Sequence, residues 1–403
     1  MRGVQRSKKT ILQTIGCLCQ IVCLILPSLG LSYDLPLDSQ ATYMTIAGSS
    51  SAQVVRSSCA STSGEGIIVG PEEVVMPTHK KPYSWPDGNM GIIKSGSSYE
   101  FFAAADGYPK RTTGTLANPQ AQGLADLKIE QLKSPYPYAA GGPIYQDPHS
   151  GTLLMIYHAE RWIVPGNWLP FYSELGIARS MDGGGTWTDL GPIITPHAPF
   201  ASDYFQVRRL TFDVGGGGYV IIGDYMYVYF NDLLKDGEDY TGLNLAVARA
   251  RVADVVDAAI NEGRAALWAK YFNGAWTEPG IRGRSTALAP GNQDVHWGDV
   301  SYNSYLNKYI SIAAGAPWPA TDLYWTESKD GLHWTNYSRI VSDSEHKYYV
   351  TVVGFGDNPR ETGEKLYVYY IRSRLFAEGG NRNEDAMLVR RLIELTDGAR
   401  ICP

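Results

Sequence analysis

Three acidic residues stand close to tryptophans in short phrases: Asp87 in Trp85-Pro86-Asp87-Gly88, Glu160 in Tyr157-His158-Ala159-Glu160-Arg161-Trp162, and Asp299 in His296-Trp297-Gly298-Asp299. Two carboxyl groups can break a glycosidic bond between them. One, held protonated, donates to the leaving oxygen; the other acts as base or nucleophile, at separations of ~5 Å or ~6.5–9.5 Å that set the stereochemical outcome. Aromatic rings a few residues away suit the faces of sugars. Asp87, Glu160 and Asp299 are therefore the candidate catalytic residues, and Trp85, Trp162, His296 and Trp297 the candidate substrate-binding residues. Each also has a plainer reading, since Asp beside Gly caps turns and Trp fills the interior of β-proteins. Asp106 and Asp203 are further acids with less in their surroundings to commend them.

Positioning such groups requires strands from distant parts of the chain to converge. From about residue 64 to residue 396 one crude unit recurs: an apolar strand, a Gly/Asn/Asp turn, a strand rich in Tyr and Ile, and a third strand ending in polar residues. Five such units predict an all-β fold, a five-bladed β-propeller with one short helical insertion. The insertion is Val252 to Lys270, where apolar and charged residues recur at helical spacing without Gly or Pro before Gly263. Residues 33–63 read as an N-terminal extension and 64–403 as the propeller domain. Residues 107–134 have little period and read as loop. Gly215 to Gly218 lacks the Lys and following helix of a phosphate-binding loop and reads as a flexible turn before a strand.

The chain has 403 residues, with 27 Tyr, 10 Trp, 43 Gly and 23 Pro, a composition of many short strands and tight turns. Residues 1–32 resemble a secretory signal peptide: Arg2, Arg6, Lys8 and Lys9 precede an apolar run to Leu26, and Gly30 and Ser32 offer a cleavage point before Tyr33. The expected location is thus extracellular or periplasmic, with no membrane association once the signal is removed. A net charge of −6 and the lack of any basic run argue against nucleic acid as a partner. Beyond the signal only Cys59 and Cys402 remain, and a disulfide between them would tie the two ends in an oxidising compartment; two free thiols are the alternative. The seven His show no ligand spacing, so no metal is expected, although His296 beside Asp299 could hold a channel calcium ion. Asn336-Tyr337-Ser338 is an N-glycosylation acceptor in a eukaryotic host.

The phrase Ser180-Met-Asp182-Gly-Gly184-Gly-Thr186-Trp187 fits the Asp-box pattern S-x-D-x-G-x-T-W, and Ser328-Lys-Asp330-Gly331-Leu-His-Trp334 is a shortened form. Such a turn is a staple: the Asp caps backbone N–H groups, Gly takes positive φ and Trp packs between strands, so Asp182 and Asp330 are structural. With these boxes, the blade rhythm and the phrases Gly142-Pro-Ile-Tyr and Tyr157-His-Ala-Glu160, the chain resembles the propeller glycosidases, especially the five-bladed arabinanase and xylosidase group. The resemblance implies Asp87 as the base that activates water, Glu160 as the acid and Asp299 as the group that orients or tunes its partner. Glu160 departs from that pattern, which carries the acid on a later blade. Sialidase activity is not implied, because an arginine triad and an Arg-Ile-Pro phrase are missing.

Together these features predict a secreted, monomeric glycoside hydrolase acting on a polysaccharide, its substrate rich in arabinofuranose or another pentose. A non-catalytic carbohydrate-binding propeller is the alternative, and a lyase with a Tyr, His or Lys base a third. Two acids facing one pocket favour the enzyme; acids each neutralised by Arg favour the scaffold.

Overall fold

Runs of Tyr, Val and Ile separated by Gly, Asn and Asp turns pair, one after the next, as antiparallel ladders. The computed structural model describes residues 53–55, 66–77 and 85–396, apart from positions 106, 128, 131, 133–135, 165, 201–209, 237–238, 290–293, 317–319 and 376–384. Residues 1–32, read above as a signal peptide, and Cys59, Cys402, Asp106 and Asp203 lie outside the described residues.

Strands β1 (Gln53–Val55) and β2 (Ile67–Met76) come first. A first group holds β3 (Gly91–Ser95), β4 (Ser98–Ala105), β5 (Tyr108–Gly114) and β6 (Ala125–Asp126), followed by the two-residue β7 (Ile129–Glu130). In the second, β8 (Tyr138–Ala140) and β9 (Ile144–Gln146) both pair with β10 (Leu153–Val164), which pairs with β11 (Asn167–Ser180) and through it with β12 (Trp187–Ile194). The third is β13 (Leu210–Ile222), β14 (Tyr225–Asp236), β15 (Asp239–Arg251), β16 (Ala269–Phe272) and β17 (Ala275–Pro279). The fourth is β18 (Val295–Asn303), β19 (Lys308–Gly315), β20 (Ala320–Ser328) and the first half of β21 (Ser338–Val353). The second half of β21 opens the fifth group, with β23 (Lys365–Ser373) and β24 (Met387–Leu395), while β22 (Glu361–Thr362) pairs with β18. The fifth group is completed by β2, which returns from the start of the chain to lie antiparallel to β24.

Strands buried on both faces read as continuous apolar runs, and each neighbouring pair of groups shares a core. Phe102 meets Leu153, Met155 and Trp187 between the first and second groups; Ile156 and Leu175 meet Val214 and Val228 between the second and third. Tyr229 and Val247 meet Val300 and Ala313, Ile310 and Trp325 meet Val352 and Val368, and Phe101 and Ala103 meet Tyr369 and Ile371, which joins the fifth group to the first. Burial of each such large side chain contributes about 1.5–3 kcal/mol. Strand β2 is held by charge as well as by its ladder. Glu72 pairs with Arg372 at 2.9 Å and accepts from the Tyr370 hydroxyl at 2.8 Å, and Glu73 pairs with Arg390 at 2.7 Å.

The turns at Asp182 and Asp330 join β11 to β12 and β20 to β21. The Thr186 N–H and hydroxyl donate to Asp182 at 2.9 and 2.8 Å, and the Leu332 and His333 N–H groups donate to Asp330 at 2.9 and 2.8 Å. The backbone N–H of Thr186 and the neighbouring hydroxyls pull the Asp182 carboxyl down to about 2. Trp187 and Trp334 are buried, their indole N–H groups donating to Gly184 O and Gly331 O.

Three expectations are corrected. Residues 107–134 include β5, β6 and β7, where Thr, Lys and Arg on a half-exposed strand had obscured the period. The insertion is helical only from Val252 to Glu262: α1 (Val252–Asp257) passes into a π-turn, Ala258–Glu262, that ends at left-handed Gly263, φ 63°. Gly215 to Gly218 lies inside β13, not ahead of it. An added Cβ at Gly218 would sit 2.6 Å from Asp299 Oδ1, and one at Gly215 would sit 3.0 Å from the Trp297 indole. Gly218→Ala should therefore destabilise by about 1–3 kcal/mol in urea unfolding. Gly151→Ala, in open space but at φ 73°, should cost only about 1 kcal/mol.

Candidate active site

Strand β18 opens with Val295-His296-Trp297, and Trp297 takes a left-handed backbone, φ 49°, where one extra residue bulges the ladder between His296 and Asp299. Asn231 of β14 fixes this bend: its Oδ1 accepts from the Trp297 N–H at 2.8 Å and its Nδ2 donates to Val295 O at 3.2 Å. A bulky residue reaches positive φ only against a steric penalty, so the bend needs such support. The indole it turns inward lies edge-on to His158 at 4.9 Å and to Tyr349 at 5.1 Å between ring centroids. Tyr349 is itself left-handed, φ 54°. The indole thus sits where the second, third and fifth groups approach the fourth.

Around it two imidazole–carboxylate pairs form. On β10 the period of two places His158, Glu160 and Trp162 on one face. Glu160 Oε2 accepts from the Trp162 indole N–H at 2.8 Å, and Oε1 lies 3.5 Å from His158 Nε2, an ion-pair separation. The other ring nitrogen of His158 meets Val214 O at 3.1 Å, which places a proton on Nδ1. On β13, Asp213 accepts from Ser173 Oγ at 3.0 Å and lies 3.2 Å from His296 Nε2. His296 Nδ1 is buried and makes no hydrogen bond among the described residues. Burial opposes charge on His158, but Glu160, Asp213 and the Val214 carbonyl outweigh it and hold the imidazole pKa above its ordinary value. Burial likewise pushes the Asp213 carboxyl up, yet His296, His158 and Ser173 bring it below the usual range. Both shifts favour an imidazolium facing a carboxylate.

Asp87 follows the cis Trp85-Pro86 bond. Its N–H donates to Ala104 O at 2.9 Å, and its carbonyl accepts from the Tyr138 hydroxyl at 2.7 Å. Tyr138 lies opposite Glu160 in the β8–β10 ladder and packs its ring edge-on against His158 at 6.0 Å. One tyrosine therefore joins the Asp87 turn to the Glu160 face. Two residues on, Asn89 Nδ2 donates to Val350 O at 2.5 Å and to Gly298 O at 3.3 Å, binding the same turn to the fifth and fourth groups.

Among the residues singled out from sequence, the structure brings Glu160 and Trp162 together on β10 and His296 and Trp297 together on β18, with the His158 ring between the two strands; Asp87 is joined to them by its backbone carbonyl through Tyr138 and is itself buried, 6% exposed. Glu160 and Trp162 are partly exposed, and the Glu160 side chain retains 14% of its surface. Asp299 is placed otherwise. It is fully buried, with Arg360 Nη1 and Nη2 at 2.7 and 2.9 Å and the Val300 and Val352 N–H groups at 2.8 and 2.9 Å, so its two oxygens accept four hydrogen bonds. Trp85 is 1% exposed and packs edge-on against Phe101 in the core, out of reach of a sugar face. The donors expected for a calcium ion, His296 and Asp299, are drawn to Asp213 and Arg360, and among the described residues no three His, Cys, Asp or Glu side chains group as ligands. His158, Ser173, Asp213 and Tyr138 were not foreseen as site residues. The alternation of His158, Glu160 and Trp162 along one strand was the available signal for the first of them. On the opposite face of β10, Arg161 stacks on Tyr136 and meets Glu174 at 3.4 Å, a second buried carboxylate.

No protein-family model matches the chain, and no curated protein matches its sequence. Among solved structures, it is similar at 10% identity to the catalytic domain of the Coprinopsis cinerea GH62 α-L-arabinofuranosidase, over 81% of this chain and 96% of that one, with a TM-score of 0.49. A family 117 glycoside hydrolase from the marine bacterium Zobellia galactanivorans matches 83% of this chain and 92% of its own at 11% identity, TM-score 0.48. The Bacillus subtilis arabinanase matches 75% and 93% at 11% identity, TM-score 0.43. Among the described residues no helix is long and apolar enough to cross a membrane.

Two measurements check the electrostatics. In an NMR titration, His158, facing Glu160, Asp213, Val214 O and the rings of Tyr138 and Trp297, should titrate above the ordinary histidine value. It should fall in Glu160→Gln and in Asp213→Asn; a wild-type value at or below the ordinary one would refute the pairing. Asp299→Asn should lower stability by about 3 kcal/mol, because Arg360 is left buried without its counter-charge.

Proposed function

We propose that the protein is a glycoside hydrolase of the five-bladed propeller type, with the five strand groups as its blades. A core shared between the fifth group and the first, and the return of β2 to the last sheet, support ring closure. The observation that carries the activity is the convergence on Trp297 of the Glu160–His158 pair from β10 and the Asp213–His296 pair from β13 and β18, with the Asp87 turn ahead of β3 tied to them through Tyr138. In the reaction, Asp87 takes a proton from water as its oxygen bonds to the anomeric carbon. The glycosidic C–O bond breaks, and the leaving oxygen receives a proton from the Glu160 carboxyl, to which the His158 imidazolium passes its Nε2 proton. His158 is left as a neutral imidazole with its Nδ1 proton on Val214 O, and Glu160 as a carboxylate held in place by the indole N–H of Trp162, whose ring is offered to the sugar. Asp213 fixes the orientation of His296 beside Trp297. Asp299 is a positioning residue that acts through Arg360 on the bend of β18.

The substrate is a polysaccharide, with a pentose such as arabinofuranose as the proposed sugar. The chain is proposed to be exported by residues 1–32, monomeric, and closed by a Cys59–Cys402 disulfide. A non-catalytic glycan-binding propeller is the second reading, favoured by the neutralisation of Asp299 by Arg360.

Reducing-sugar release from a panel of plant, fungal and algal polysaccharides separates the two. Asp87→Asn and Glu160→Gln should each lower kcat by about 10²–10⁴ with melting temperature preserved, whereas Asp299→Asn should lower the melting temperature first. Retained glycan binding with no release by the wild type would leave the binding reading.

A further inference from the structure

At the far ends of β13 and β18 from His296, the chain builds a second basin. It has a volume of about 530 Å³ and is lined by Ile221, Tyr302, Leu306, Asn307, Lys308 and Lys329, with Tyr309 beside them. Tyr302 and Tyr309 are paired directly across the β18–β19 ladder, their rings 5.5 Å apart and tilted by 55°, so that together they form an angled aromatic wall. The Tyr302 hydroxyl donates to Asn307 Oδ1 at 2.7 Å, which aims the Asn307 amide and leaves the phenol oxygen able to accept.

The walls are fixed in advance. The turn carrying Leu306 to Lys308 is pinned by buried Asn303: its Oδ1 accepts from the Leu306 N–H at 2.8 Å, and its Nδ2 donates to Gly363 O at 2.8 Å and Thr362 Oγ1 at 3.0 Å. The turn carrying Lys329 is anchored to the third group, where the Tyr229 hydroxyl donates to Gly331 O at 2.8 Å and the Tyr229 ring meets Trp334 edge-on at 5.6 Å. Lys308 is held by Glu327, itself 1% exposed and also taking the Trp325 indole N–H. Lys329 is exposed and forms no ion pair among the described residues, while the neighbouring Asp330 is turned into its own backbone and His333. The basin therefore presents one uncompensated ammonium on a chain whose net charge is −6.

We propose that this basin is a second glycan site, distinct from the Trp297 centre, that binds a saccharide bearing an anionic group, either a ring carboxylate or a sulfate ester. The tyrosine wall takes the apolar face of the ring, Asn307 and the Tyr302 oxygen take hydroxyls, and Lys329 takes the charge. The choice of a saccharide rests on the glycan reading of the Trp297 centre; the shape and charge of the basin do not.

The test is calorimetric titration of the whole protein carrying Asp87→Asn with trigalacturonate, with a sulfated galactose tetrasaccharide, and with neutral galactotriose. Lys329→Glu should weaken binding of the anionic ligand about tenfold, and Ile221→Asp, on the opposite wall, should weaken it in the same direction. Galactotriose should bind this basin more weakly than the anionic ligand, and whichever anionic probe responds identifies carboxylate or sulfate. No binding of either anionic probe, equal affinity in both variants, or equally tight galactotriose binding lost in the same variants would overturn the proposal. Hydrolysis by the wild type is scored separately: an inactive protein with a responsive basin removes the reading of the Trp297 centre alone, and an active one with an unresponsive basin removes this inference alone.

Discussion

Inner strands from several sheets can meet around one indole only if the strand facing it brings almost no side chain of its own. That is the part played by Gly215 to Gly218 in β13. A Cβ at Gly215 would press on the Trp297 ring and one at Gly218 on the Asp299 carboxylate, so the run of glycines sets how closely the third group approaches the fourth. The entropic cost of four glycines in a strand, roughly 0.5–1 kcal/mol each, is offset by what the approach permits. It lets Asp213 reach His296, Val214 O reach His158, and Arg360 reach Tyr219 O at 3.1 Å.

Charge buried at this convergence is arranged in two layers. In one, Asp299 and Arg360 meet in a two-pronged pair, with the Val300 and Val352 N–H groups completing Asp299 and the Tyr219 and Val300 carbonyls taking Arg360 Nη2, while the buried Arg360 Nε makes no hydrogen bond among the described residues. A buried pair so completed adds little net stability relative to apolar packing, but removal of either member leaves a bare charge, which makes it a strict geometric lock. In the other, the Glu160–His158 and Asp213–His296 pairs are less completely saturated. Among the described residues the buried Nδ1 of His296 makes no hydrogen bond, and Glu160 keeps some exposure. Groups with remaining capacity can take a further partner; groups without it can only hold the frame.

The all-β character, the repeating units and the two capped turns were legible because each rests on local signals: turn residues, alternation, and a Ser-Asp-Gly-Trp spacing whose bonds close within a few residues. The contact between Glu160 and Trp162 was legible for the same reason, since they are two apart on one strand. Asp87 was singled out by its neighbours Trp85 and Pro86, although Trp85 serves the core. The Asp299 surroundings were not legible, since its partner Arg360 lies sixty-one positions on and reaches it through a different strand group. Nor were Asp213 and its contact with His296, because a glycine run that looks like a flexible turn in one dimension is a close strand approach in three.

The bulge at Trp297 explains why His296 and Asp299, three residues apart, have opposite fates. Were the ladder paired without a bulge, a count by twos would carry it regularly from His296 to Gly298. With it, Asp299 rather than Gly298 stands across from Ile312, facing the fifth group, where Val352 and Arg360 await it. Trp297 absorbs the added length in its left-handed bend and turns its ring inward, while His296 stays at the start of the strand beside Asp213. A single inserted residue thus separates the carboxylate locked by Arg360 from the imidazole paired with Asp213. Pairing the same residues in a ladder without the bulge would put Gly298 across from Ile312 in the place of Asp299, so the lock and the Trp297 bend depend on the same irregularity.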